Sequence, residues 1–315
     1  MDKIYQESLL FGDALNTLKT LSNDSIQCCI TSPPYFGLRD YGHAGQIGLE
    51  ETPEEYVTKL VSVFREVRRV LKDDGTFWLN LGDSYASTKV GNTNGTAGRV
   101  KQKKGVNDDT RKRTIPNGLK HKDLIGIPWR VALALQADGW YLRQDIIWAK
   151  PNPMPESVTD RCTKSHEYLF LLSKSKQYYF DHEAIKETAI HAGRVVKATG
   201  DKSKNASHVS MNETKIGFTK EDKLVGDTRN KRSVWTITTK PYKGAHFATF
   251  PEDLVEPCIL AGSKPGDTIL DPFMGSGTTL AVAKRLNRGY VGIELNADYE
   301  SLIRERLLKA QRPML

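Results

Sequence analysis

The chain has 315 residues, a formal net charge of +8 and four cysteines. That length can bury one large core, alone or with a smaller insert, and the positive excess points to a polyanionic partner. No apolar run approaches membrane-spanning length, Met1-Asp2-Lys3 opens no basic segment followed by an apolar one, and no Walker loop implies ATP.

Ile4–Phe11 reads as a strand ending at Gly12-Asp13. Asp13 then caps a helix, Ala14–Leu21, with Leu15, Leu18 and Leu21 on one face. Asp24–Ile30 is a second, buried strand. Its Cys28 and Cys29, like Cys162 and Cys258, lack metal-site spacing and read as reduced cysteines of a cytosolic protein. The strand must stop at Thr31-Ser32-Pro33-Pro34-Tyr35, because neither proline has an N–H for a ladder. Carbonyl oxygens, the Ser32 hydroxyl and the Tyr35 ring are left together at a strand end. Such acceptors beside a stacking platform suit a flat substrate carrying an amino group, although a rigid turn or a proline-rich ligand motif reads the same way in isolation. Phe36–Gly42, which contains Arg39, follows as a Gly- and aromatic-rich loop expected to move over what binds there.

Pro53–Leu71 is an amphipathic helix with Glu54 and Glu55 in its first turn and Arg68 and Arg69 in its last. Asp73-Asp74-Gly75 is expected to turn the chain into a strand, Thr76–Leu81. Residues 84–123 break this pattern. They hold ten lysines and arginines, among them Lys101, Lys103, Lys104, Arg111, Lys112 and Arg113, against three aspartates. Such a polar loop is expected to be disordered without ligand and to touch phosphates. A helix, Pro128–Ala137, and a strand, Tyr141–Ala149, come next. Lys150-Pro151-Asn152-Pro153-Met154-Pro155 is a rigid loop, followed by a strand at Glu167–Ser173, and Tyr178–Phe180 reads as the end of a small apolar hairpin.

Residues 182–233 are a second polar block of mixed charge. Val234–Thr239 returns to a strand, and Pro251 precedes a helix at Glu252–Ala261. From Thr268 the chain runs as a strand through Asp271-Pro272-Phe273-Met274-Gly275-Ser276-Gly277-Thr278 into a helix. Glu294, seventeen residues beyond Gly277, ends the next strand, Tyr290–Ile293. A Gly turn with an acidic residue at the following strand end is suited to a nucleoside-bearing cofactor. The glycines let backbone approach the ligand, and the carboxylate can accept from ribose hydroxyls. A helix at Asn296–Ala310 closes the sequence.

With both stretches in hand, the chain resembles the amino-methylating DNA methyltransferases that use S-adenosylmethionine. Its motif order, Ser-Pro-Pro-Tyr before the cofactor loop, is similar to their β class. The resemblance covers all but the two polar blocks. It implies an α/β fold, a Rossmann-like, doubly wound, mostly parallel sheet with circularly permuted motifs. Residues 1–181 would be the catalytic half with its basic loop at 84–123, residues 182–233 a small target-recognition insert, and residues 234–315 the cofactor-binding half. Catalysis would rest on Ser32, Pro33, Pro34 and Tyr35. The cofactor would be held by Asp13, Thr31, Phe247, Thr249, Asp271, Pro272, Phe273, Gly275, Ser276, Gly277, Thr278, Glu294 and Asn296, with no metal. Double-stranded DNA would meet Arg39, the basic loop, Lys150 and, in the insert, Arg194, Arg229 and Arg232. A cognate restriction endonuclease, a homodimer and a cytoplasmic location in a prokaryote or phage-infected cell go with the resemblance.

The chemistry fits those residues. An exocyclic amine of a base is a poor nucleophile because its lone pair is delocalised into the ring. Acceptors on its N–H groups, the Ser32 hydroxyl and the Pro33 carbonyl, would help it pyramidalise, with Tyr35 stacking on a flipped base. Serine as the first motif residue leans towards cytosine N4 in this family, with adenine N6 as the alternative. Ring-carbon methylation would need a nucleophilic cysteine, and the Pro-Cys pair here, Pro257-Cys258, lies in an amphipathic helix. An NAD-dependent oxidoreductase would want a third glycine where Leu280 stands. A glutamine-methylating enzyme of the release-factor kind would put its cofactor loop first.

Overall fold

The computed structural model describes residues 7–310 except 39–41, 44, 88–114, 117, 191, 197–222, 225 and 240–249. The chain divides into two compact units, residues 1–181 with 233–315, and His182–Arg232.

The first unit begins with β1 (Glu7–Phe11), α1 (Ala14–Leu18), β2 (Ile26–Thr31), α2 (Pro53–Val70), β3 (Leu71–Leu81), α3 (Ile127–Ala137), β4 (Tyr141–Ala149) and β5 (His166–Ser173). Among its described residues the second unit holds four two-residue strands: β6 (Glu187–Thr188), β7 (Val195–Val196), β8 (Lys223–Leu224) and β9 (Thr228–Arg229). Of these, β6 pairs with β9 and β7 with β8, both antiparallel. The first unit then resumes with β10 (Val234–Thr236), α4 (Glu252–Gly262), β11 (Thr268–Asp271), α5 (Thr278–Arg285), β12 (Gly289–Glu294) and α6 (Glu300–Lys309).

One eight-stranded sheet, in the order β1-β12-β11-β2-β3-β5-β4-β10, organises the first unit. Only β5 runs against its neighbours. Central β2 and β11 are buried along their whole length, which is why they read as continuous apolar runs. From β2 the chain crosses through α2 to β3 on one side. From β11 it crosses through α5 to β12 on the other. The carboxyl ends of these two adjacent strands therefore diverge and open a crevice, the place where doubly wound sheets bind ligands.

The longest helix, α2, shows how sequence sets the packing. Thr52 accepts from the Glu55 amide at 3.2 Å, the Glu55 carboxylate accepts from the Thr52 amide at 3.3 Å, and Pro53 sits at the first helical position. Its Tyr56, Leu60, Phe64 and Val67 are fully buried in the core cluster with Phe77, Leu79 and Leu81 of β3.

Several elements depart from the sequence reading. Helix α1 is a turn shorter than expected, and α2 runs directly into β3. Asp73-Asp74-Gly75 is not a turn between elements. Its residues belong to a bulge, since β2 pairs with Leu71 and then with Thr76. Tyr178–Phe180 forms no hairpin strand; Phe180 stacks on Trp78 at 6.2 Å, and the Tyr179 amide donates to the Asp74 carbonyl. The last helix is preceded by a 3-10 turn, Ala297–Tyr299, capped by Asn296. Among the described residues no helix is long and apolar enough to cross a membrane.

Candidate active site

Thr31 ends β2 and Asp271 ends β11, two strands paired side by side. The Thr31 hydroxyl donates to Asp271 Oδ1 at 2.6 Å. The same carboxylate accepts from Thr279 Oγ1 at 2.7 Å and from the Phe273 amide at 3.1 Å. Asp271 is 1% exposed, and burial raises its carboxyl from 3.8 to about 6. It braces the Gly loop from beneath and holds that loop against the strand that leads to Ser32.

Above this brace lies a cavity of about 600 Å³. Its wall carries Asp13, Pro272, Phe273, Gly275, Ser276, Thr278, Glu294 and Asn296 on one side, and Ser32, Pro33, Pro34 and Tyr35 on the other. Tyr35 and Gly275, 240 residues apart in sequence, thus face one space. Thr31, Asp271 and Gly277 are not in the wall; they lie beneath it.

At the first end, main-chain groups position the polar side chains. Glu294 Oε2 accepts from the Gly275 amide at 3.0 Å and Oε1 from the Asn296 amide at 2.9 Å. Burial raises the Glu294 carboxyl above its ordinary value. Asp13 both caps α1, accepting from the Asn16 amide at 2.9 Å, and lines the cavity. The Gly12 amide donates to the Glu294 carbonyl at 2.9 Å, which brings the ends of β1 and β12 together. Behind the loop, the Arg306 guanidinium donates to Ser276 Oγ at 2.9 Å and Thr278 Oγ1 at 2.5 Å.

The second end is built from side chains of distant strands. The Tyr35 hydroxyl lies 2.7 Å from Glu167 Oε2 and 3.1 Å from Asn80 Oδ1, and Ser32 Oγ donates to it at 3.3 Å. Asn80 Nδ2 donates to Glu167 Oε2 at 3.2 Å and to the Tyr168 carbonyl at 3.1 Å. Lys150 pairs with Glu167 Oε1 and lies 4.1 Å over the Trp148 ring. A Cβ on Gly82 would come within 2.6 Å of Tyr35 Cε2, so only glycine leaves the ring where it is.

The loops around this end are anchored as well. The Gly37 amide donates to the Gly48 carbonyl at 2.7 Å, and Phe36 packs against Tyr56 at 5.5 Å. The start of the segment expected to move is thus tied down, while His43, Gln46 and Ile47 join the cavity wall. The basic insertion has a closed neck. Tyr85 and Leu124 form an antiparallel bridge, and the Ala86 amide donates to the Asp123 carbonyl at 2.8 Å. Asp83 Oδ1 accepts from the amides of Gly126 (3.0 Å) and Ile127 (3.1 Å), capping α3.

Of the remaining sequence candidates, Arg39, Lys101, Lys103, Lys104, Arg111, Lys112, Arg113, Phe247 and Thr249 lie outside the described residues. Lys150, expected among the contacts to DNA, is 17% exposed and ion-paired within the cavity wall instead. In the second unit Arg229 and Arg232 both pair with Glu187, at 2.9 and 2.8 Å, and Arg194 is exposed. The sequence reading missed Asn80, Gly82 and Glu167. Each sits in or beside a strand whose apolar run was legible, but nothing local marks them as partners of Tyr35.

Cys258, the residue a ring-carbon mechanism would need, is fully buried in α4, and burial also raises the Cys28 thiol to about 12. Comparison with known proteins agrees with the geometry. Residues 26–305 match the N6/N4 methyltransferase family described as DNA methylase. The chain is 49% identical over 302 residues to the Type II methyltransferase M.SmaI of Serratia marcescens, covering 96% of this chain and 90% of that protein. It is 48% identical over 300 residues to M.Cfr9I of Citrobacter freundii, covering 95% and 87%. Among solved structures, the cytosine-N4-specific PvuII DNA methyltransferase shares the fold, with a TM-score of 0.63 at 20% identity over 98% of this chain and 88% of that one. So does a putative DNA modification methylase of Thermus thermophilus solved with S-adenosyl-L-methionine, with a TM-score of 0.59 at 21% identity over 98% and 96%. The chain thus belongs to the N6/N4 family of S-adenosylmethionine-dependent DNA methylases.

Proposed function

We propose that this enzyme methylates the N4 amine of cytosine within a specific sequence of double-stranded DNA. In this reading Ser32, Pro33 and Tyr35 receive the flipped base, and Asp13, Gly275, Glu294 and Asn296 hold the cofactor. The observation that carries it is the single cavity shared by both sets of residues, over the Thr31–Asp271 bond that ties their strands.

The donor and acceptor chemistry of the wall fits S-adenosylmethionine. Its ribose hydroxyls, adenine amine and ammonium are all donors, and this end of the cavity offers two carboxylates. Glu294 Oε2 receives the Gly275 amide and Oε1 the Asn296 amide, and with two lone pairs on each oxygen the carboxylate keeps acceptor capacity for hydroxyls. Among the described residues, chain neighbours aside, none comes within 4 Å of where a Gly275 Cβ would stand, so the backbone there is open to approach. When bound, the cofactor supplies a methyl group activated by its sulfonium.

The residues opposite prepare the amine. The Pro34 carbonyl already accepts from Tyr56 Oη at 2.8 Å. Among the described residues none donates to the Pro33 carbonyl. Ser32 Oγ and the Pro33 carbonyl are therefore the acceptors for the two amine N–H groups. Tyr35, fixed at its hydroxyl, offers its ring in a set position, and alignment of this kind supplies much of the rate. A base stacked in a duplex cannot enter the cavity, so the target is flipped at a cost of a few kcal/mol. Phosphate contacts from the basic insertion, whose neck follows Gly82 in the chain, offset that cost. The insert at 182–233, with Arg194, Arg229 and Arg232, is assigned to reading the sequence. Ser32 as the first motif residue supports cytosine. A companion restriction endonuclease and a homodimer belong to the same reading.

The test is transfer of labelled methyl to mixed-sequence DNA, followed by nucleoside analysis. N4-methylcytosine is the expected product, and N6-methyladenine alone would refute the choice of base.

A further inference from the structure

We propose that Glu167 takes up the proton that the methylated amine must release, acting through Tyr35 and Ser32. This rests on the reading that Ser32 faces the amine.

When the new N–C bond forms, the nitrogen carries a positive charge until one N–H bond breaks. Ser32 Oγ takes that proton and gives up its own to Tyr35 Oη, 3.3 Å away. Tyr35 in turn passes its proton to Glu167 Oε2 at 2.7 Å. Ser32 and Tyr35 end unchanged, the amine ends neutral, and the carboxylate ends as a carboxylic acid, which returns its proton to water after product release. Tyr35 has one proton and two oxygen neighbours besides Ser32. Asn80 settles the direction, because its Nδ2 is committed to Glu167 and to the Tyr168 carbonyl, and the shorter contact is to the carboxylate. Burial and the neighbouring Glu167 hold the Tyr35 hydroxyl well above its ordinary value, so Tyr35 is a neutral phenol before and after the transfer.

The other carboxylates nearby are committed elsewhere. Asp83 caps α3 with its oxygens, Asp271 is buried beneath the wall, and Asp13 and Glu294 stand at the opposite end of the cavity. Among the described residues, the charged groups that act on this corner are Lys150, paired to Glu167, and Lys164, whose Nζ donates to the Asp83 carbonyl at 2.8 Å, with Asp83 and Glu156 facing Lys164. Glu167 works through two hydroxyls rather than on the base, so it is a positioning residue as well as the end of the relay.

The test compares Glu167→Gln, Glu167→Asp and Tyr35→Phe. Glu167→Gln keeps the size and one acceptor, so cofactor affinity by calorimetry should be unchanged while kcat falls about 10²-fold. The acidic limb of the kcat–pH profile should disappear with it. Glu167→Asp should restore part of the rate together with the limb. Tyr35→Phe keeps the ring but breaks the relay, and should match Glu167→Gln. In the cofactor-free protein, ultraviolet titration should show one tyrosine ionising at lower pH in Glu167→Gln, and not when Tyr35→Phe is added. A Glu167→Gln enzyme with near-normal kcat, or with lowered kcat and an unmoved acidic limb, overturns the relay. If Ser32→Ala is inactive in the same experiment, the proposed function stands without it.

Discussion

The two ends of the cavity are built on different principles. At the end proposed for the cofactor the wall is mainly a short local loop. Gly275 and Ser276 present main chain, and Glu294 is held by the amides of Gly275, 19 residues before it, and Asn296, two residues after. At the base end only Ser32–Tyr35 are local. Their setting comes from Asn80, 45 residues from Tyr35, and Glu167, 132 residues away. Main chain along a short loop can hold a ligand by backbone geometry alone. A reactive amine needs hydroxyls whose orientation is imposed through side chains, here from β3 and from β5 beyond it.

This contrast predicts that damage at the base end appears in turnover and damage at the cofactor end in affinity. The largest effect is expected for Ser32→Ala and Tyr35→Ala. Each should lower kcat about 10²- to 10³-fold, with cofactor affinity by calorimetry retained. Near-normal turnover in both would break the assignment. Next comes Gly82→Ala, which touches neither ligand. Its Cβ would sit 2.6 Å from Tyr35 Cε2, and pushing the ring aside should cost roughly 10²-fold in kcat. A retained rate would show that the ring position is not critical.

Glu294→Ala should raise the cofactor Kd by about 10- to 100-fold, the loss expected for hydrogen bonds to a charged acceptor. Most of kcat should return at saturating cofactor. A low kcat at saturation would erase the distinction between the two ends.

The smallest effect concerns the brace that joins them. Burial holds the Asp271 proton more tightly in the folded chain than in the unfolded one, with the carboxyl raised from 3.8 to about 6. The unfolded state therefore binds fewer protons across that window, and this group's contribution to stability falls as pH rises through it. Asp271→Asn removes the titration. Its Tm relative to the parent should be higher at about pH 8 than at about pH 4.5 by a few degrees. An unchanged difference would place the ionised form at no cost.

What could be read from residues alone was what acts within a few positions. Pro33 and Pro34 have no N–H, so the strand before them had to end where it does. A Gly turn between an apolar strand and a helix, followed by an acidic strand end at Glu294, announces a nucleoside site. Thr52, Pro53 and Glu55 begin α2 by capping geometry alone. The reading went astray where local cues allowed two outcomes. Asp73-Asp74-Gly75 can turn a chain or bulge a strand, and only pairing with β2 makes it a bulge.

The partners of each side chain were decided by the sheet order. In sequence Lys150 is a candidate contact to DNA. Once β4 lies against β5, its nearest carboxylate is Glu167, and the pair closes inside the cavity. Asp271 reads as a ligand for the cofactor. With β11 against β2, the hydroxyls of Thr31 and Thr279 claim it from below. Propensity, capping and missing donors operate along the chain. Charge pairing and buried hydrogen bonds operate through space, and the space is set only when strands far apart in sequence become neighbours.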